Sequence, residues 1–271
     1  VDGGSKAVDD RKSVLRKWEL FKVVCRAFFI QNLWSFERMQ AYGFLYCLLP
    51  VIKRLYTDRE GRASACRRHL EAFNTHPYLA SFILGVSIAR EESHARGDEP
   101  DVSQVPSVKS SMMGPIAGVG DNLFWVSLRP FLALLGVSVV LLNWDAPQYG
   151  LLGPMVFLAL YNLLHLYVRW VCMVGGYRGD IKVVERLRSL NHLRIVRALR
   201  VTSYLLVGAV AALKVGTVGA GGRGLPKAAL AFALMVSIAA ASRIKATPAK
   251  MMALVSLLCL AGGYLGWVAS F

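Results

Sequence analysis

The chain has 271 residues, 55% of them hydrophobic, and the apolar residues gather into long uncharged runs. That excludes an ordinary soluble domain of this size and points to helices in a membrane. Lys and Arg outnumber Asp and Glu by 32 to 17, but the charges flank the apolar runs; this reads as positive-inside topology and contact with anionic lipid, not as a nucleic-acid surface, for which there is neither zinc spacing nor a recognisable motif.

Val1 to Asp10 is small and polar and reads as a disordered tail. From Ser13 to Arg26 the chain is basic, with Trp18, Phe21 and Cys25 on one helical face and Lys17 and Lys22 elsewhere. The pattern predicts an amphipathic helix lying on the cytoplasmic leaflet, the alternative being a helix seated in a partner's groove. The first thirty residues are too charged for a cleavable signal peptide. The segment FFIQNLWSFERMQ (28–40) places Gln31, Asn32, Glu37, Arg38 and Gln40 beside bulky apolar groups. Glu37 and Arg38 are adjacent, so on a helix they point apart, and each needs its own partner if buried.

Met39 to Ile52 is apolar for about fourteen residues, too short to cross a core of about 30 Å. Both flanks are basic, with Lys22 and Arg26 before and Lys53, Arg54, Arg59, Arg62, Arg67 and Arg68 after. The run is therefore expected to be a re-entrant hairpin turning near Gly43, or a helix held inside the protein. Pro77 to Ala89 repeats the situation and predicts a second dip. Between them, His69 and His76 read more readily as hydrogen-bonded structural residues than as ligands. Gly97 to Ser111 reads as a polar loop.

The stretch Met112 to Pro130, MMGPIAGVGDNLFWVSLRP, is mostly apolar yet carries Gly114, Pro115, Gly118 and Gly120, then Asp121, Asn122 and Arg129. Glycine and proline weaken a helix. A break in the backbone is expected here, with Asp121 or Asn122 capping a helix that begins near Leu123 and runs to Leu142. A break at membrane depth, with an acid beside it, is a place to hold polar solutes; a tight interhelical turn whose Asp merely caps is the alternative.

The loop Asn143 to Gln148 has no Lys or Arg and should face outward. Tyr149 to Met173 returns, with Asn162, His165 and Arg169 on one face, turned toward protein and not lipid. Gly175 to Arg200 carries seven Lys and Arg against Asp180 and Glu185, the clearest cytoplasmic segment. Apolar runs follow at about 201–218, 225–241 and 251–267, with the basic loop Arg243 to Lys250 inside and Gly262 and Gly266 allowing close helix contact in the last run. The sum is an all-α integral membrane protein with an amphipathic amino-terminal helix, two re-entrant hairpins and about five transmembrane helices, amino terminus in the cytoplasm. It divides into 1–111, interfacial helices and hairpins, and 112–271, the transmembrane region. The scattered cysteines give no disulfide framework or metal signature. No nucleophile–base constellation is present, and GVGDN is too short for a dinucleotide fingerprint.

Three stretches, FFIQNLWSFERMQAYGFLYCLLPVIKRLY, RRHLEAFNTHPYLASFILGVSIAREE and SMMGPIAGVGDNLFWVSLRPFLALLG, resemble the IID component of mannose/fructose/sorbose-family phosphotransferase system permeases. The resemblance is specific from about Phe28 to Leu142 and looser beyond. It implies a subunit of the bacterial cytoplasmic (inner) membrane, paired with a IIC subunit as a trimer of heterodimers, carrying a hexose-type sugar inward for phosphorylation by cytoplasmic IIA and IIB components. It implies no cofactor, no metal and no catalytic residue in this chain. It implies Gln31, Glu37, Arg38, Gln40, Asn74, His76, Asp121, Asn122, Trp125 and Arg129 as substrate-path or gating candidates. Members often carry a longer outward-facing insertion where GTVGAGGRG stands here. A membrane scaffold or regulatory subunit derived from the same family is the rival reading; a membrane enzyme is the weaker one.

Overall fold

The computed structural model describes residues 15–98, 103–143, 146–179 and 192–218. The expected tail at 1–10, the apolar runs at 225–241 and 251–267, the loop 243–250, the short outer connection after Val218 and residues 180–191 of the basic stretch lie outside them.

Among the described residues every regular element is helical. α1 spans Lys17–Ala27, and the Arg16 backbone N–H donates to the Glu19 carboxylate at its start, 2.7 Å. Leu20, Val23, Val24 and Ala27 form its buried face, while Trp18, Phe21 and Cys25 stay exposed. The expected aromatic face therefore exists, with a separate aliphatic face packed on the protein.

α2, Ala41–Leu55, is one helix. It does not turn at Gly43. That residue lies against the Ile30 carbonyl, where a Cβ would not fit, and the helix buries Phe44, Cys47, Leu48, Val51 and Ile52 in the core. Of the two sequence readings, the helix held inside the protein is the one observed. Pro50 deprives the Tyr46 carbonyl of its helical donor. The Arg26 guanidinium takes that place, Nη1 to Tyr46 O at 3.0 Å, and lies over the Tyr46 ring. A helical hairpin does form, but from α1 and α2, with its turn at residues 28–40.

α3 (Arg59–Arg68) starts at Asp58, whose carboxylate accepts from Gly61 N at 2.5 Å. α4 (Ala80–Ala95) is a single buried helix without an internal turn. α5 begins at Gln104, inside the stretch expected as a loop, with Pro106 in its first turn, where the missing N–H costs nothing.

The expected break at Gly114, Pro115, Gly118 and Gly120 is absent. α5 (Gln104–Gly120), a π-helical segment (Asp121–Leu128) and α6 (Arg129–Leu142) form one continuous helix of 39 residues. Neither Asp121 nor Asn122 caps a new helix; Asn122 donates from its amide back to Gly118 O, 3.0 Å. Glycine and proline break helices where water can take over the freed backbone groups. In apolar surroundings the helix is the cheapest way to satisfy them. What changes is the winding: Arg129 N–H bonds to Phe124 O, five residues back. The wider turn ends where Pro130 would otherwise crowd the carbonyl of Val126.

α7 (Leu152–Tyr177) and the continuous helix are both long and apolar enough to cross a membrane. α8 spans His192–Val218. α7 seats directly on α4: a Cβ at Gly85 would strike the Met173 carbonyl, and one at Gly176 would strike the Phe82 carbonyl.

Candidate functional site

Two of the predicted candidates form a latch. Met39 adopts φ +52°, a left-handed turn that brings Arg38 and Gln40 alongside residues 70–75. Gln40 N donates to Phe73 O at 2.8 Å and Phe73 N to Arg38 O at 3.3 Å. The buried Gln40 side chain then behaves like a second strand: its amide donates to Thr75 O at 2.9 Å and its carbonyl accepts from Thr75 N at 3.1 Å. Arg38 Nη1 reaches Leu70 O at 2.9 Å, and Thr75 Oγ1 donates to Met113 O at 2.9 Å. Arg38 and Gln40 thus hold the hairpin turn against α5. Gln31, Glu37 and Asn74 are exposed on the connecting turns and are not brought into this arrangement.

The latch delivers the chain to His76, which anchors an aromatic cluster. Its ring is 1% exposed, stacks on Phe124 (5.2 Å, 18°), and meets Trp125 at 5.0 Å and Tyr78 at 4.9 Å. Gly120 passes so close that a Cβ there would strike the imidazole. Behind it, Tyr78 stacks on His165 at 4.7 Å and shares a 2.9 Å hydroxyl–hydroxyl bond with Tyr161. His165 Nε2 bonds Asn162 Oδ1 at 2.9 Å. Arg169 lies between the Phe28 and Tyr78 rings, 4.7 and 5.0 Å from their centroids, and donates to Ala27 O at 3.0 Å, the carboxyl end of α1. A cation there meets the negative pole of that helix. Of the polar stripe on α7, His165 and Arg169 therefore face protein, while Asn162 stays exposed.

On the outer side, the π segment presents Asn122 and Trp125 to the surroundings, with Asp121 half-buried and Arg129 exposed at the start of α6. Of the predicted residues, His76, Asp121, Asn122, Trp125 and Arg129 share this region. Sequence reasoning missed Tyr78, Phe124 and Tyr161; the run Thr75-His76-Pro77-Tyr78 was the available signal.

A second polar node closes the end of α4. Glu91 receives Arg68 side-on, Nη2 at 2.8 Å and Nε at 3.1 Å, with Tyr56 OH at 2.7 Å and His69 Nε2 at 3.0 Å. Burial pushes the Glu91 carboxyl up, but the hydrogen bonds from His69, Arg68 and Tyr56 outweigh it and bring it down to about 2. Burial holds His69 below the ordinary histidine value. A neutral His69 donates through Nε2–H, and its partnerless Nδ1 is then a bare lone pair and not a stranded proton. Glu92, next along, accepts from Leu15 N at 3.3 Å and from the Tyr177 hydroxyl, tying the amino terminus and α7 to α4. Lys109 is buried with its ammonium 4.8 Å from the Phe44 centroid.

Long apolar helices with exposed Leu, Val and Tyr faces, and charged groups kept for interior contacts and helix ends, define an α-helical membrane protein. Residues 14–218 match the family described as the PTS system mannose/fructose/sorbose family IID component. The chain belongs to that family. It is 44% identical over 164 residues to the mannose-specific EIID component of Escherichia coli (strain K12), covering 60% of this chain and 56% of that protein. It is 34% identical over 201 residues to the fructose permease IID component of Bacillus subtilis (strain 168), covering 74% and 71%. The first of these matches thus spans little more than half of the relative's length. Among solved structures, the chain resembles one in the cryo-EM structure of the mannose transporter ManYZ with microcin E492, at 37% identity and TM-score 0.57 over 74% of this chain and 71% of that one. A structure described only as a membrane protein gives 31% identity and TM-score 0.67 over 93% and 98%.

Proposed function

We propose that the chain is the IID membrane subunit of a mannose-family sugar phosphotransferase permease. With a IIC subunit it forms the inward path for a hexose-type sugar, which cytoplasmic IIA and IIB components phosphorylate; the chain itself supplies no catalytic group. Family membership sets the class, and one structural observation carries the transport reading: a π-widened turn in the middle of a long apolar helix, presenting Asp121, Asn122, Trp125 and Arg129. π-helical turns inside α-helices gather at functional sites, and ionisable groups at membrane depth are costly unless used. Trp125 offers a sugar an apolar face, and Asp121, Asn122 and Arg129 offer hydroxyl partners.

The IIC partner is supported by a smooth exposed strip on α5, where Gly114 and Gly118, four residues apart, have open space around them. Such a strip lets another helix approach backbone to backbone. In this reading the assembly is a trimer of heterodimers in the bacterial inner membrane. The 39–52 and 77–89 runs, expected as dips, are the helices α2 and α4 held inside the protein; about five helices cross, and the amino terminus is cytoplasmic, with α1 resting its Trp18–Phe21 face and Lys17 and Lys22 on the lipid surface. The division into 1–111 and 112–271 then separates surface-lying helices from crossing ones, although α5 runs through the boundary. Gln31, Glu37 and Asn74, exposed on the turns, are contacts for the partner or the path; Arg38 and Gln40 shape the turn that carries them.

Asp121→Ala should abolish sugar uptake while leaving membrane insertion and protein level unchanged. Normal uptake at matched protein levels rejects the assignment of Asp121 to the path. A family-derived scaffold without transport is the alternative, and it gains if the chain purifies in mild detergent without a IIC-type subunit.

A further inference from the structure

We infer that His76 is a hydroxyl-recognising residue for the carried sugar, closed off by Trp125 when the path is empty; this rests on the transport reading above. The Tyr78 backbone N–H points at His76 Nδ1, 3.4 Å away, which makes Nδ1 the acceptor and leaves the proton on Nε2. That Nε2–H is buried and meets no acceptor among the described residues. A buried donor with nothing to bond is costly, and a native protein that keeps one calls for an explanation.

The ring has no freedom to find an acceptor by turning. The Gly120 backbone lies against its Cβ and Cγ, and Phe124 stacks on its face. Phe124 is itself buried, and Tyr78 is held by Tyr161, His165 and Arg169. Of the neighbours around the imidazole, Trp125 is the exposed one, 43% accessible, and it stands on the same π turn as Asp121. A swing of the indole opens the ring toward the exposed side of the π turn. A neutral donor on a rigid ring, next to an indole face, suits a hydroxyl oxygen of a polyol ring.

The test uses the complete membrane complex with its native partner subunits and a series of hexoses, each lacking one hydroxyl. In the wild type, loss of one particular hydroxyl should weaken half-saturation of uptake about tenfold, the effect of one hydrogen bond with its desolvation. His76→Phe should raise half-saturation for the intact sugar by the same factor and become indifferent to that hydroxyl. His76→Gln, which keeps an amide N–H near the Nε2 position, should recover the discrimination in part. Should these variants fail to assemble, wild-type complex labelled with 15N-histidine replaces them: the His76 Nε2–H signal should shift when hexose saturates. A His76→Phe complex that treats the whole series as the wild type does overturns the inference alone, as does an Nε2–H signal unmoved at saturating hexose. A wild-type complex that takes up no hexose removes the transport reading as well.

Discussion

Glu91 is the residue on which the carboxyl end of α4 depends. It is ionised, nearly free of solvent, and bonded by Arg68, His69 and Tyr56. Glu91→Gln keeps the shape but strands the Arg68 charge, and breaking a buried pair of this kind costs roughly 3–5 kcal/mol. In detergent, the variant should lose several degrees in unfolding midpoint; an unchanged midpoint would show that water already shares the site. The pH dependence has a definite sign. Because the folded Glu91 carboxyl is depressed to about 2 from the usual 4.5, its stabilisation is present above about pH 4.5 and fades as pH falls toward 2. His69, also depressed, adds stability that is whole above its ordinary value of 6.5 and declines below it. The wild type should therefore destabilise on acidification more steeply than Glu91→Gln, as thermal unfolding at stepped pH would reveal.

At the scale of elements, residues predicted to break the α5–α6 helix instead leave it smooth. Gly114 and Gly118 face open space, so side chains added there disturb no contact within the described protein. Gly114→Leu and Gly118→Leu should leave the isolated chain's helicity intact and reduce the partner subunit recovered with it. Full recovery of partner would move the docking face elsewhere. Much of the element pattern was legible: the end of α6 at Leu142, the helical return through Arg169, and the confinement of the 39–52 run within protein. The continuous helix was not, because glycine and proline propensities describe a chain in water, whereas here the surroundings offer the backbone no other partners. The start of α5 was hidden for the related reason that Pro106 and the serines around it resemble a loop until they occupy a first turn. The site was half legible. Asp121 stood out by its charge, whereas Trp125 and His76 entered only through the family resemblance; the tyrosines packed around His76 come from α7 and the turn before α4, and no spacing in the sequence joins them.

For the whole molecule, helix length sets the geometry. At 1.5 Å per residue the 39-residue helix is about 58 Å long, nearly twice the hydrocarbon core. One end must therefore run outside the core or lie steeply tilted. α7, with 26 residues, needs only modest tilt. The proposed topology, amino terminus inside and about five crossings, predicts that single cysteines in a cysteine-free background label by side: Arg59→Cys and Asp98→Cys from the cytoplasm, Gln148→Cys from outside. Labelling of Gln148→Cys from the cytoplasmic side would overturn the parity.

The seating of α4 on α7 limits how this molecule can change shape. Where two backbones touch at Gly85 and Gly176, no side chain remains to swing aside and take up slack, so those helices travel as one stiff body. The guanidinium of Arg169 hooks the end of α1 onto the same body. The α6 half of the rod is seated on the same body in the same way, backbone on backbone at Gly136 and Gly153, whereas the half before it leans on that body ring against ring at His76 and Phe124. Any working stroke therefore has its bearing at that aromatic seam, with the loosened winding of residues 121–128 as the place where the rod can flex.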